Sequence, residues 1–307
     1  MKAIFLSFAL ILACTTSGAQ SLPTVASGRI IRLENFKSEF VTARNVDIWL
    51  PEGYTTKKKY SVLYMHDGQM LFDSTTTWNH QSWEVDEVVT QLLKEGSVRN
   101  FIVVGISNDS KTRHADYFPQ KPFESLTLDQ KDFVTLQLRG TAKTTENFQP
   151  VSDNYLKFLI TELKPFIDKN YHVYRDRGHT MIAGSSMGGL ISMYAICEYP
   201  GIFGGAACMS THWPGIFSME GNPVPDAFFS YMRKKLPNPK NHKIYFDYGD
   251  QTLDAMYPSL QKKVDVLMKN RGYDEVNWMT MFFPGKDHSE KSWHERLPVP
   301  LEFLFKK

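Results

Sequence analysis

Residues 179–198 read HTMIAGSSMGGLISMYAICE, and this stretch decides the fold. An apolar run typical of a strand leads into Gly184-Ser-Ser186-Met-Gly188, and apolar residues at helical spacing follow from about Gly188. A serine on a sharp strand-to-helix turn needs glycines beside it, because larger side chains would collide with the strand and helix. The pattern therefore predicts a nucleophile turn that presents Ser186, with the N–H of Met187 placed to stabilise a negatively charged oxygen.

Outward from this turn, strand-like and helix-like runs alternate. The predicted strands are Arg29–Phe36, Asn45–Pro51, Ser61–Asp67, Phe101–Asn108, His179–Ser185, Gly204–Ser210, Lys243–Gly249 and Val276–Pro284. Several are continuous apolar runs, as expected for strands buried on both faces of a parallel sheet, and the first two are joined without a helix, which suggests an antiparallel start. We predict an α/β fold of the α/β-hydrolase type, with a mostly parallel central sheet of about eight strands, helices on both faces, and one domain over residues 28–305.

Two segments interrupt this alternation. Residues 111–150 show no clear period, and a segment of that length is often a lid or binding loop. We expect an insertion that faces the substrate, the alternative being a surface excursion without a role. Residues 212–240 are a second candidate for the rim of the site.

A serine hydroxyl needs a base to take its proton and a carboxylate to orient that base. His288 follows a Pro-Gly turn directly after the last predicted strand, which makes it the predicted base ahead of His294. Asp250 and Asp254 both follow the preceding strand and compete as the acid; we favour Asp254, which lies nearer the start of the next predicted helix, with Asp250 as the alternative. Asp287 adjoins His288 and is expected to point away.

Four segments, taken in order, resemble the Putative esterase family of α/β-hydrolases. They are Ser61–Phe72, Gly184–Gly189, Tyr199-Pro200 with Phe203, and Gly285–His288 with Trp293. The resemblance spans about residues 28–305, and the family includes esterase D, feruloyl and acetylxylan esterases, enterochelin-type siderophore esterases and mycolyltransferases. It implies a serine esterase that hydrolyses carboxylic esters, and that chemistry needs no metal and no organic cofactor.

The resemblance also bears on individual residues. The family carries a tyrosine and a glutamine after its acid, which Tyr257 and Gln261 match if the acid is Asp254. Gly249 lies two residues too far back for the family pattern, so Asp250 stays open as the alternative. The family further implies a second oxyanion donor in the loop after the third strand, at Gly68 or Gln69, and we choose the Gln69 backbone over its reading as a local turn residue.

The substrate is less constrained. Trp83, Tyr117 and Trp213 are aromatic candidates for the substrate-binding surface, and they suit a feruloyl or acetyl ester carried on carbohydrate. Arg113 is a further candidate and would suit a siderophore trilactone, the alternative substrate. A second alternative is a hydrolase-like module that binds without catalysis.

The amino-terminal residues predict export. Ile4–Ala13 is an apolar run of ten residues, too short to cross a bilayer but typical of a signal peptide. Ser17 and Ala19 fit cleavage before Gln20, so residues 1–19 are assigned to the signal, and the mature chain is expected to lack a transmembrane segment. Cys14 leaves a lipoprotein anchor as an alternative.

Composition excludes other classes. The chain has 307 residues, 42% of them hydrophobic, and a formal charge of +2, which argues against intrinsic disorder and gives no basic field for nucleic acid. Cys197 and Cys208 are the cysteines of the mature chain, and both lie in apolar segments. We expect buried free thiols, with a mutual disulfide as the alternative.

Overall fold

A central sheet of eight strands organises the computed structural model, which describes residues 21–142 and 148–307. The strands are β1 (Arg29–Phe36), β2 (Arg44–Leu50), β3 (Ser61–His66), β4 (Phe101–Ile106), β5 (Thr180–Ser185), β6 (Gly205–Met209), β7 (Lys243–Tyr248) and β8 (Trp278–Phe282). Their order is β1-β2-β4-β3-β5-β6-β7-β8. β2 pairs antiparallel with both β1 and β4, and all other pairs are parallel. The predicted strands and the antiparallel start are confirmed, with ends that differ by a few residues.

Helices cover both faces of the sheet, as predicted. They are α1 (Val85–Glu95), α2 (Arg113–Tyr117), α3 (Gln120–Glu124), α4 (Leu128–Ala142), α5 (Ser152–Lys157), α6 (Lys164–Asn170), α7 (Met187–Glu198), α8 (Val224–Lys235), α9 (Pro258–Asn270), α10 (Glu290–Arg296) and α11 (Pro298–Phe305). A π-helical turn, Phe158–Leu163, joins α5 to α6.

The side chains of β3 show why the central strands are apolar throughout. Val62 and Tyr64 point into one hydrophobic core, which they share with α7, whereas Leu63 and Met65 point into the other, which they share with α1 and α11. Successive side chains of a strand face opposite sides of the sheet. A strand buried on both sides therefore has no polar face, and a continuous apolar run results.

The segment 111–150 contains helices that its sequence did not reveal. α2, α3 and α4 occupy most of it, and residues 143–147 lie outside the described part. α2 and α3, with five residues each, are too short to show a helical period, and the apolar residues of the longer α4 do not form one clear face. Phe118 is fully buried and its ring contacts Phe123 and Phe228, so part of this segment belongs to the core.

Both cysteines are buried free thiols, as predicted. Burial raises the pKa of Cys197 to about 12, so the thiol stays protonated and unreactive at neutral pH. Within residues 21–142 and 148–307, no helix combines the length and the apolar character that a membrane crossing requires.

Candidate active site

The turn between β5 and α7 holds Ser186 in an unusual backbone conformation, with φ 58° and ψ −121°. Its N–H donates to Met209 O at 2.9 Å, which ties the turn to β6. A Cβ added to Gly184 would lie 2.8 Å from the carbonyl carbon of Gly188, so a side chain at residue 184 does not fit. The sequence thus folds here as the GxSxG pattern predicts, and the helix begins at Met187, one residue before the expected start.

His288 and Asp254 come together at the same edge of the sheet. Asp254 lies on a 3₁₀ helix (Thr252–Met256) after β7, and His288 lies on the loop after β8. His288 Nδ1 and Asp254 Oδ1 are 2.6 Å apart. The carboxylate of Asp250, the alternative acid, instead accepts from the N–H of Gly285 at the surface. Asp287 accepts hydrogen bonds from Ser289 and Ser292 and so points away, as expected.

The carboxylate of Asp254 has no exposed surface and is fully hydrogen-bonded. Its Oδ2 accepts from Ser210 Oγ and from the N–H of Gly249, each at 2.6 Å. Burial alone would raise the pKa of Asp254, but the hydrogen bond and charge of His288 and the bonds from Ser210 and Gly249 outweigh it and hold the pKa below its usual value. Asp254 is therefore an ionised acceptor for the His288 imidazole.

A buried arginine stands behind this carboxylate. Arg296 is 1% exposed, donates to Ser210 Oγ, and has Nη2 at 3.4 Å from Asp247 Oδ1 and 3.7 Å from Asp254 Oδ2. Its charge compensates two buried carboxylates, which would otherwise repel each other. Arg296, Asp247 and Ser210 were not predicted as site residues. Ser210 is the last residue of a predicted strand, and that position at a strand end was the signal that could have identified it.

Tyr257 lies close to Ser186 and to two histidines, His212 and His288. Its hydroxyl lies 2.9 Å from His212 Nδ1, its ring centroid is 5.9 Å from that of His288, and the Ser186 side chain approaches the same hydroxyl. Burial, helped by the neighbouring charge of His288, lowers the pKa of His212 well below its usual value, so this imidazole is neutral. The described hydrogen bonds of His288 do not include one to Ser186. Such bonds are often long before a substrate binds.

The two predicted oxyanion donors have unused N–H groups. In residues 21–142 and 148–307, neither Met187 N nor Gln69 N donates a hydrogen bond. Met187 is the first residue of α7, where N–H groups have no acceptor within the helix. Gln69 lies on a 3₁₀ helix (Gly68–Met70) after β3, the strand that pairs with β5.

Side chains fix the loop that carries Gln69. Arg113 forms two hydrogen bonds with Asp67, Nε to Oδ1 at 2.8 Å and Nη2 to Oδ2 at 2.7 Å. Asn108 Nδ2 donates to the same Oδ1 at 2.6 Å, and Gln69 Oε1 accepts from the N–H of Asn108 at 3.1 Å. Arg113 was predicted to contact substrate. Its Nε and Nη2 are engaged by Asp67 and hold this loop, while 30% of the side chain stays exposed, so contact with substrate stays a prediction.

The three aromatic residues predicted to bind substrate lie in the core. Tyr117 and Trp213 have no exposed surface and Trp83 is 3% exposed, so none of them can contact a substrate in this conformation. Trp213 Nε1 donates to Gln261 Oε1 at 2.8 Å, and the Trp83 ring packs on Trp293. These predictions were wrong because the sequence does not show whether an aromatic side chain outside the strands points into the core or into solvent.

Comparison with known proteins identifies relatives. A family model described as "Putative esterase" matches residues 38–303. An uncharacterized protein, YbbA of Bacillus subtilis (strain 168), is 22% identical over 271 residues, which are 86% of this chain and 93% of that protein. The endo-1,4-beta-xylanase/feruloyl esterase of Xylanibacter ruminicola is 25% identical over 272 residues, 86% of this chain but only 29% of that longer protein.

Solved structures share the fold. A ferulic acid esterase superposes with a TM-score of 0.62 at 20% identity, covering 90% of this chain and 98% of that one. The enterobactin esterase FES from Shigella flexneri superposes with a TM-score of 0.64 at 17% identity, covering 92% of this chain and 60% of that one. At such identities the likeness establishes the fold, which is the predicted α/β-hydrolase fold.

Proposed function

The chain belongs to the Putative esterase family and is a carboxylic ester hydrolase, and from this premise we propose that Ser186, His288 and Asp254 are its catalytic triad. The observation that carries the proposal is the 2.6 Å bond between His288 Nδ1 and the buried Asp254 carboxylate. This bond fixes the imidazole tautomer and leaves Nε2 as the nitrogen that can accept a proton. Ser186, on its strained turn at the same edge of the sheet, is the nucleophile that this base serves.

The proposed reaction has two steps. His288 Nε2 takes the proton of Ser186 Oγ as that oxygen attacks the ester carbonyl carbon, and the N–H groups of Met187 and Gln69 hold the resulting oxyanion. The alcohol leaves with the proton from His288, and an acyl-serine remains. Water, deprotonated by His288, then attacks this acyl group and releases the acid, which returns Ser186 to its protonated form. Asp254 stabilises the imidazolium that forms in each step.

The substrate that we favour is a feruloyl or acetyl ester carried on carbohydrate. Support comes from the xylanase/feruloyl esterase among its relatives and from the ferulic acid esterases among similar structures. The enterobactin esterase with the same fold supports a siderophore trilactone as the second candidate. Arg113 was expected to supply a positive charge for that anionic ligand. Because Asp67 already pairs with its guanidinium and balances the charge, we favour the carbohydrate ester.

A module that binds without catalysis is the third candidate. Burying the Asp254 carboxylate against an imidazole and an arginine costs desolvation energy. A surface that only binds a ligand does not require such a buried charged group. The pair therefore favours catalysis.

Export remains part of the proposal. The assigned signal, residues 1–19, lies outside the described residues, and its support is the short apolar run followed by small residues. Intact mass measured on the protein wherever it is found, in the cytoplasm, the membranes, the periplasm or the culture medium, tests it. A mature chain that begins at Gln20 supports cleavage at this site, an acylated Cys14 supports the lipoprotein alternative, and an intact Met1 contradicts export by either route.

The triad is tested with a fluorophosphonate probe, which labels activated serines. We expect an adduct on Ser186 that is absent from Ser186→Ala, whereas Ser185→Ala, which changes the adjacent serine, should still be labelled. A chain that neither reacts with the probe nor hydrolyses p-nitrophenyl acetate would support the binding module. Rates on methyl ferulate, acetylated xylan and a catecholate trilactone then rank the substrates, and turnover of the trilactone alone would reverse the ranking.

A further inference from the structure

Trp78 is the most exposed aromatic residue in the described part of the chain, with 82% of its surface in solvent. No described ring or cation stacks on its indole, so both faces of the ring are open. An indole in this position has its apolar ring faces available to stack on another molecule.

The loop that carries Trp78 is fixed by its own hydrogen bonds. The Asp73 carboxylate accepts from the N–H of Thr75 at 2.9 Å and caps a short 3₁₀ helix (Ser74–Thr76). Thr77 Oγ1 donates to Ser74 O at 3.0 Å. The backbone that carries the indole is therefore ordered before any ligand arrives, so the loop itself loses little conformational entropy when one binds.

The same loop packs beside the proposed base. Asn79 Nδ2 donates to Glu290 Oε2 at 2.7 Å, and Glu290 lies two residues after His288. Further along the loop, the ring of Trp83 is 5.4 Å from that of Trp293, which in turn is 4.9 Å from that of His288. The loop follows β3, the strand next to β5, and β5 leads to Ser186. Trp78 thus stands at the edge of the sheet where the ester would react.

The surroundings of Trp78 indicate what it binds. Its neighbours in the loop are polar, namely Ser74, Thr75, Thr76, Asn79, His80 and Gln81. A membrane or an apolar protein partner needs a continuous apolar surface, which a single indole among hydroxyls and amides does not supply. A pyranose ring needs this combination, because its C–H face stacks on an aromatic ring and its hydroxyls bond to amide and carboxylate groups. Glu290 Oε2 already accepts from Asn79, whereas Glu290 Oε1 has no hydrogen-bond donor among the described residues and offers such a group.

We propose that Trp78 is a stacking platform for a pyranose ring of the xylan chain that carries the ester, an inference that rests on the proposed function. The platform adds affinity for the polymer next to the scissile bond. A small ester lacks the sugar ring, so it does not reach the indole. Trp78 is therefore a specificity-determining residue, and it takes no part in the bond-breaking steps.

Comparing a polymer with a small ester tests this role. In Trp78→Ala we expect kcat/KM on acetylated xylan to fall about tenfold, mainly through KM, while kcat/KM on p-nitrophenyl acetate stays within about twofold of the unchanged protein. Tyr174→Ala is the matched control. It removes another aromatic ring with exposed surface, which stacks on His179 at the opposite edge of the sheet, where the N–H of Tyr174 bonds to Tyr60 O, and should change neither rate.

Binding measured without catalysis separates this proposal from the proposed function. In calorimetric titrations with xylohexaose, Ser186→Ala should bind, and adding Trp78→Ala should weaken binding about tenfold. If the unchanged enzyme hydrolyses no ester, the proposed function fails while this titration still decides the role of Trp78. Equal losses of Trp78→Ala on both substrates would overturn the platform, as would an unchanged rate on acetylated xylan or unchanged xylohexaose binding.

Discussion

At the scale of single residues, the spacing along the chain did not decide which aspartate pairs with His288. Asp250 and Asp254 lie four residues apart after the same strand, and either could have reached the imidazole. Three-dimensional packing separates them, because the 3₁₀ helix turns Asp254 inward onto His288 and leaves Asp250 at the surface. Ser186 and His288 could be predicted as site residues from the sequence, because Ser186 lies within a characteristic turn pattern and His288 follows one. Arg296 could not, since nothing in α10 shows that a charged residue there is buried.

This difference gives a paired experiment. Asp254→Asn keeps the size of the side chain but removes the charge that stabilises the imidazolium, so kcat on p-nitrophenyl acetate should fall about 10³-fold or more. Asp250→Asn alters only the bonds to Gly285 and Gln251, and its kcat should stay within about twofold. A large loss in Asp250→Asn with little loss in Asp254→Asn would reverse the assignment.

At the scale of elements, the sheet was predictable and the covering segments were less so. Continuous apolar runs such as Phe101–Ile106 identify central strands without further information, because both of their faces are buried. α2 and α3 were missed because short helices leave no periodic signal. Trp213 and Tyr117 were misplaced because their direction is set by tertiary contacts, with Gln261 and with the rings of His66 and Tyr155.

The β5–α7 element makes a sharp prediction about stability. In Gly184→Ala the new methyl group would lie 2.8 Å from the Gly188 backbone, so β5 and α7 must move apart. We expect the free energy of unfolding to fall by about 1–3 kcal/mol, the usual cost of overpacking, as measured by urea denaturation. Gly201→Ala is the control, because no atom of the described residues lies within 4 Å of the added methyl group. Its stability should be unchanged, and equal losses in both variants would contradict the close-contact explanation.

For the whole molecule, two buried histidines link stability to pH. His66 is 2% exposed and His212 is 1% exposed. Burial lowers the pKa of His66 to about 3 and that of His212 well below its usual value. Both imidazoles are neutral in the folded protein, whereas in the unfolded chain they gain protons below about pH 6.5. The unfolded state therefore binds more protons, and stability is lost as pH falls from about 6.5 toward the low pKa values of the fold.

The expected slope is about 1.4 kcal/mol per pH unit for each of these histidines. Urea denaturation at a series of pH values between about 6 and 4.5 measures it. His66→Gln, which stays uncharged and can still bond to Tyr155, should reduce the slope by the contribution of one histidine. A slope that His66→Gln leaves unchanged would show that His66 does not carry this dependence.

The order in which the site residues occur along the chain bears on synthesis. Ser186 precedes Asp254 and His288, and Arg296, which compensates the buried carboxylates, comes later still. A nascent polypeptide that has emerged only as far as β7 already carries its serine turn but has no imidazole to activate it. On the proposed triad, such a nascent chain cannot hydrolyse esters, and it gains that activity only after β8, the loop with His288 and α10 have been made and packed.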